Sequence, residues 1–215
     1  MINGNRTKSN RGRSPRDFYK TPKDLAEAAI DRIQYDEEIA YYMPVNYILD
    51  AGCGDGVWAK ECIRLVYPSG DENCYPFIEA IDLEPCIKER PDLVDKVITG
   101  DFLEYNPKYH FDLVCGNPPY SLAEEFIRHS FELLSYTGYI YFLLRLSFLE
   151  GIARGRGLFK EFPIKRVYVC SRRPSFFSTD EKKHTTDTLA YAMFLWQKGY
   201  NGKTELDYLD WEYKK

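Results

Sequence analysis

Seven short apolar stretches punctuate this chain, with helical periodicity between several of them. The stretches are Val45–Asp50, Phe77–Asp82, Lys96–Asp101, Phe111–Cys115, Tyr139–Leu144, Arg166–Cys170 and Thr188–Trp196. Tyr139-Ile-Tyr-Phe-Leu-Leu144 is apolar throughout, as expected for a strand buried on both faces of a parallel sheet. Thr21-Pro22-Lys23-Asp24 predicts a helix capped by Thr21, with proline at its first position, running to about Tyr42. Val57–Val66 predicts a second helix. Ser121-Leu-Ala-Glu124 predicts a capping box for a third, carried by Leu122, Phe126, Phe131 and Leu134 and closed by Gly138. Asn201-Gly202 predicts a turn into a short strand near Leu206–Trp211. Strands alternating with helices imply a doubly wound, mostly parallel α/β sheet of seven strands with a late antiparallel strand. Its ligand site is expected at the carboxyl ends of the strands.

Two motifs fall at such ends. Asn117-Pro118-Pro119-Tyr120 follows Phe111–Cys115. Neither proline can donate to a sheet ladder, and each drives the residue before it toward extended geometry. The result is a stiff rim offering the Asn117 amide oxygen and the Pro118 carbonyl as acceptors beside the Tyr120 ring. Converging acceptors and a stacking face suit a planar amine such as the amino group of a nucleobase. The second motif, Asp50-Ala-Gly52-Cys-Gly54-Asp-Gly56, joins a strand to a helix, where glycines allow close backbone approach of a ligand at the helix start. It is not the dinucleotide fingerprint, which needs glycine where Val57 stands.

Together, in this order, the motifs resemble the class I S-adenosylmethionine-dependent amino methyltransferases, a family with a Rossmann-like sheet. From Thr21-Pro22 to Thr186-Asp187-Thr188 and the aromatic last strand, residues 17–198 look like the small phage-type DNA N6-adenine methyltransferases. The resemblance implies S-adenosyl-L-methionine as cofactor, with Asp50, Gly52, Gly54 and Gly56 near its methionine end. It implies Asp82, followed by Leu83, at the ribose, with Glu84 a competitor for that role. Asp101 would face the adenine amino group and Phe102 the adenine ring. Tyr19, Thr21 and Pro22 would close over the methionine, and Asn117 would border the cofactor. Asn117, Pro118, Pro119 and Tyr120 would form the catalytic rim. Phe176, or its rival Phe177, would stack on an extruded target base opposite Tyr120. The expected reaction is methylation of the adenine amino group in DNA. The same chemistry on RNA, protein-amide methylation, and a non-catalytic nucleic-acid-binding protein of the same fold are the alternatives.

Charge sharpens the choice of partner. The formal net charge is −4, yet residues 1–20 hold six Lys/Arg against one acid, and residues 145–183 hold ten against four. Arg154, Arg156, Arg172 and Arg173 are the candidate phosphate contacts. Residues 1–16 read as a disordered basic tail, and 17–215 as one catalytic domain without a separate target-recognition domain. Aromatics reach 16%, with 18 Tyr against 13 Phe. The six cysteines form no C-x-x-C pair and the three histidines are scattered, so no metal site is expected. With neither a membrane span nor a signal-peptide core, the expectation is a cytoplasmic monomer or weak dimer.

Overall fold

The computed structural model describes residues 20–36, 45–65, 75–87, 94–176 and 188–212. The basic tail, Tyr19, Phe177 and Thr186-Asp187 lie outside them, as does Tyr42, although the first helix already ends at Gln34, with Tyr35 as its C-cap, short of the predicted run.

The chain forms β1 (Tyr47–Ala51), β2 (Phe77–Asp82), β3 (Lys96–Thr99), β4 (Phe111–Gly116), β5 (Leu134–Arg145), β6 (Arg166–Cys170), β7 (Tyr191–Gln197) and β8 (Glu205–Leu209). These make one sheet in the order β3-β2-β1-β4-β5-β7-β6-β8. All pairings are parallel except those of β7, which runs antiparallel to both β5 and β6. The helices are α1 (Lys23–Gln34), α2 (Val57–Cys62), α3 (Ala123–Leu133), α4 (Ile152–Arg156) and α5 (Leu158–Glu161).

Strand β5 shows why both faces need cover. Tyr139, Tyr141 and Leu143 join the core beneath α1 and α2, while Ile140, Phe142 and Leu144 join the core beneath α3. The two-residue period of a strand thus feeds two separate layers. Helix α1 supplies Leu25, Ala26, Ala29, Ile30 and Ile33, all fully buried. It is moored by the Tyr141 hydroxyl, which donates to the Ala29 carbonyl at 3.1 Å, and by Arg64 against Glu27 and Asp31.

Several expectations need correction. The sheet has eight strands rather than seven. The eighth, β8, is the short strand predicted near Leu206–Trp211, and it joins the sheet by pairing in parallel with β6. Helix α3 starts differently from the prediction. Pro119 accepts the Leu122 N–H at 2.9 Å in a 3-10 turn, Leu122 becomes the N-cap, and Glu124 accepts from Arg128 instead. Gly138 does not close α3 but lies inside β5. A register shift at Phe111/Leu113 brings the Phe111 carbonyl within 2.8 Å of where a Cβ would stand. Thr21 does not cap α1: Pro22 is the N-cap, and the helix has no side-chain cap bond.

Candidate active site

The strand order reverses between β1 and β4. From β1 the chain moves outward through β2 and β3, then returns to β4 on the opposite side of β1. A crevice opens at such a switch point, outside the carboxyl ends of the strands. The glycine loop leaves β1 there and Asn-Pro-Pro-Tyr leaves β4, with Asp50 in register with Cys115. The approach is close. Gly116 has φ 145°, and a Cβ on it would lie 2.7 Å from the Ala51 carbonyl.

The glycine loop is braced from the next strand. The N–H groups of Gly52 and Cys53 both donate to the Ile81 carbonyl, at 2.9 and 3.0 Å. Asp82 is buried, and its two oxygens accept from the N–H groups of Gly54 and Glu84, each at 3.0 Å. It therefore shapes the loop, whereas Leu83 and Glu84 are exposed beside it. Asp101 is exposed and caps a short 3-10 turn by accepting from Leu103 N–H. Phe102 is buried, stacked on Phe126 at 4.5 Å and edge-on to His129, so its ring belongs to the core.

Asp50 is wholly enclosed. Its Oδ2 accepts the Ala59 N–H at 3.0 Å and so caps α2, whose N-cap residue, Gly56, has no side chain. Among the described residues its Oδ1 has no hydrogen-bond partner. Burial pushes its pKa up to about 7, assisted by Asp55 and Asp82 and opposed by the Ala59 N–H and Lys60.

Residues 20 and 21 bridge the two motifs. Lys20 pairs with Asp55 of the glycine loop at 3.3 Å. Thr21, 3% exposed, accepts a hydrogen bond from the Asn117 amide nitrogen at 3.1 Å. That bond turns the Asn117 amide oxygen away from Thr21. Pro118 and Pro119 are buried, while Asn117 and Tyr120 are half-buried.

The expected aromatic clamp is not formed as predicted. Phe176 is 4% exposed and packs edge-on against Tyr191 at 4.8 Å, while Tyr191 in turn meets Tyr120 at 5.7 Å. Tyr191 thus stands between the two residues expected to hold a base, and Phe176 is core. Its burial follows from β7, which delivers Tyr191 into the same apolar layer.

Arg145, which no sequence motif marks, places its guanidinium 4.9 Å from the centre of the Tyr120 ring. Its only signal was a cation ending an apolar strand. Arg172 and Arg173 are exposed just beyond β6, and Arg156 is exposed in α4. Arg154 is half-buried and donates to the carbonyls of Phe148 and Glu150. Among the described residues, no group of three or more His, Cys, Asp or Glu could hold a metal ion, and no helix is long and apolar enough to cross a membrane.

No protein-family model matches the chain. Over 123 residues, 56% of the chain, it is 29% identical to the type II methyltransferase M.CvrRI of Paramecium bursaria Chlorella virus XZ-6E. The match spans 29% of that protein, so the chain covers less than a third of this relative's length. Among solved structures, a class I S-adenosylmethionine-dependent methyltransferase of Listeria monocytogenes superposes with a TM-score of 0.65 at 13% identity, over 92% of this chain and 68% of that one. The M protein of the type I restriction enzyme EcoKI superposes with a TM-score of 0.59 at 16% identity, over 87% of this chain and 45% of that one. With the β1–β4 crevice and its glycine loop, these likenesses establish that the chain has the class I S-adenosylmethionine-dependent methyltransferase fold.

Proposed function

We propose that this chain methylates the N6 amino group of adenine in DNA, using S-adenosylmethionine. The observation that carries the reading is the meeting of Asn-Pro-Pro-Tyr with the glycine loop, with the Asn117 amide nitrogen engaged by Thr21. The names of the relatives, a type II methyltransferase and a restriction-enzyme M protein, favour DNA as substrate.

The residues present fit the cofactor. Positive φ at Gly52, Gly54 and Gly56 brings bare backbone to the crevice, and the buried Asp50 Oδ1 is a polar atom in need of a partner. The glycine loop and Asp50 would hold its methionine end, and Glu84 or Asp82 its ribose. Asp101 would hold its adenine amino group, and Tyr19, Thr21 and Pro22 would cover it. When bound, the cofactor supplies a sulfonium-activated methyl group. The chain's part is positional. The Asn117 amide oxygen and Pro118 carbonyl accept the two N–H bonds of the target amine, directing its lone pair at the methyl, and Tyr120 supports the base. Two acceptors at the amine favour electron density on nitrogen, so no histidine base is required.

Nucleoside mass spectrometry after incubation with cofactor and either duplex DNA or RNA tests the proposal. N6-methyladenine should appear in DNA. Its appearance in RNA alone, or on neither polymer, would overturn the reading. Asn117→Ala should lower transfer by about two orders of magnitude or more, as for loss of a preorganised polar contact, with cofactor affinity nearly unchanged.

A further inference from the structure

Beside Tyr120, a cavity of about 270 Å³ opens where β5 ends and α3 begins. Tyr120, Ser121, Arg145, Ser147, Phe148 and Arg154 supply its polar and aromatic walls. Among the described residues, two guanidinium groups and no carboxylate line it, in a chain of net charge −4. Each guanidinium rests on a ring: Arg145 on Tyr120 and Arg154 on Phe148, both at 4.9 Å. A guanidinium carries its N–H donors in its own plane, the geometry that grips an oxyanion through two parallel bonds. Arg154 is further fixed by donating to the carbonyls of Phe148, at 2.9 Å, and of Glu150. Ser121 and Ser147 add neutral donors to the same walls.

We infer that this cavity is a phosphate subsite that takes a phosphodiester of the strand carrying the target base, held by Arg145 and Arg154. The inference rests on the reading of the chain as a nucleic-acid methyltransferase and adds where the strand is gripped. Arg145 serves two purposes there. Its in-plane N–H groups hold the strand, and its charge, 4.9 Å from the ring centre, holds the Tyr120 ring that supports the base. Seating the phosphate and presenting the base are thereby one event.

The test uses duplex oligonucleotides with one target adenine, in which each neighbouring phosphate in turn is replaced by a neutral methylphosphonate. Affinity is read by fluorescence anisotropy with S-adenosylhomocysteine present. One replacement should weaken wild-type binding about tenfold. Arg145→Gln should show that loss with unmodified duplex and be insensitive to the same replacement, with a salt slope smaller by about 0.9. Arg145→Lys should fall between. Unchanged calorimetric binding of S-adenosylhomocysteine shows that each variant is folded. Should Arg145→Gln fail that check, Arg154→Gln and Ser147→Ala carry the same comparison. A wild type that methylates DNA, with variants equally sensitive to every replacement, overturns the subsite alone. A wild type that neither binds nor methylates nucleic acid overturns the functional reading with it.

Discussion

Thr21 illustrates how a side chain with an obvious local use can serve a distant one. Its hydroxyl stands where a helix cap would be, yet it accepts from Asn117, 96 positions later in the chain. The bond fixes the direction of an amide whose two ends have opposite hydrogen-bonding character. Thr21→Val keeps the shape and removes the acceptor. The turnover number should fall about tenfold, corresponding to ~1.4 kcal/mol, while cofactor affinity changes little, and Thr21→Ser should restore activity. Single-turnover kinetics paired with calorimetry check this, and equal losses in both measurements would point to a structural role. Asp50 gives a prediction in pH. Its native pKa is raised to about 7, whereas an unfolded aspartate ionises near 4. Between those values the folded chain binds the extra proton, so the contribution of Asp50 to stability is present at low pH and declines as pH rises through 7. Denaturant titrations should show Asp50→Asn losing less stability than wild type between pH 5 and 8. Parallel pH profiles for the two proteins would refute it.

At the scale of elements, strands proved more legible than their boundaries and partners. β2 and β6 match their predicted bounds because each is a short run dominated by apolar residues, Phe77-Ile-Glu-Ala-Ile-Asp82 and Arg166-Val-Tyr-Val-Cys170, which is a property of the segment itself. The start of α1 differs because the Thr21 hydroxyl is engaged by Asn117 from far along the chain, and no local pattern reports such competition. The Asn201-Gly202 pair signals a turn and a short strand after it, but not that this strand pairs with β6. Phe176 has the same lesson with a measurable consequence. Following two exposed arginines, it reads as a surface stacker, but Tyr191, 15 residues later, packs against it. Phe176→Ala should therefore lower unfolding free energy by about 3 kcal/mol, detectable in a urea titration. A variant as stable as wild type but deficient only in DNA binding would restore the stacking role. The candidate site was legible at its two motifs, since glycine and proline act through the backbone. Arg145 and Tyr191 were not, because only the antiparallel pairing of β5 with β7 sets them opposite each other.

On the scale of the whole molecule, topology gathers positive charge at one edge of an acidic chain. Because β7 is antiparallel to both its neighbours, β6 runs parallel to β5, and their carboxyl ends lie on the same edge as those of β1 and β4. Arg154 and Arg156 follow β5, and Arg172 and Arg173 follow β6, so all four belong to the edge that carries Asn-Pro-Pro-Tyr. The Arg172 carbonyl accepts from the Trp211 indole at 3.1 Å, and the Ser171 N–H donates to the Leu209 carbonyl, which fixes that turn against β8. The edge strand β8 thereby holds two exposed cations in place without touching the crevice. Neutralising a duplex phosphate releases counterions, and the logarithm of affinity falls with the logarithm of salt by about 0.9 per phosphate neutralised. Arg156→Ala, Arg172→Ala and Arg173→Ala should each reduce that slope by about 0.9 where the side chain meets a phosphate, and weaken binding alike on unrelated sequences. The comparison is made by anisotropy across a salt series on two duplexes of different sequence. A slope left at the wild-type value in the triple variant would remove this edge from the nucleic-acid interface. A loss confined to one of the two duplexes would instead mean that these arginines read bases, not phosphates.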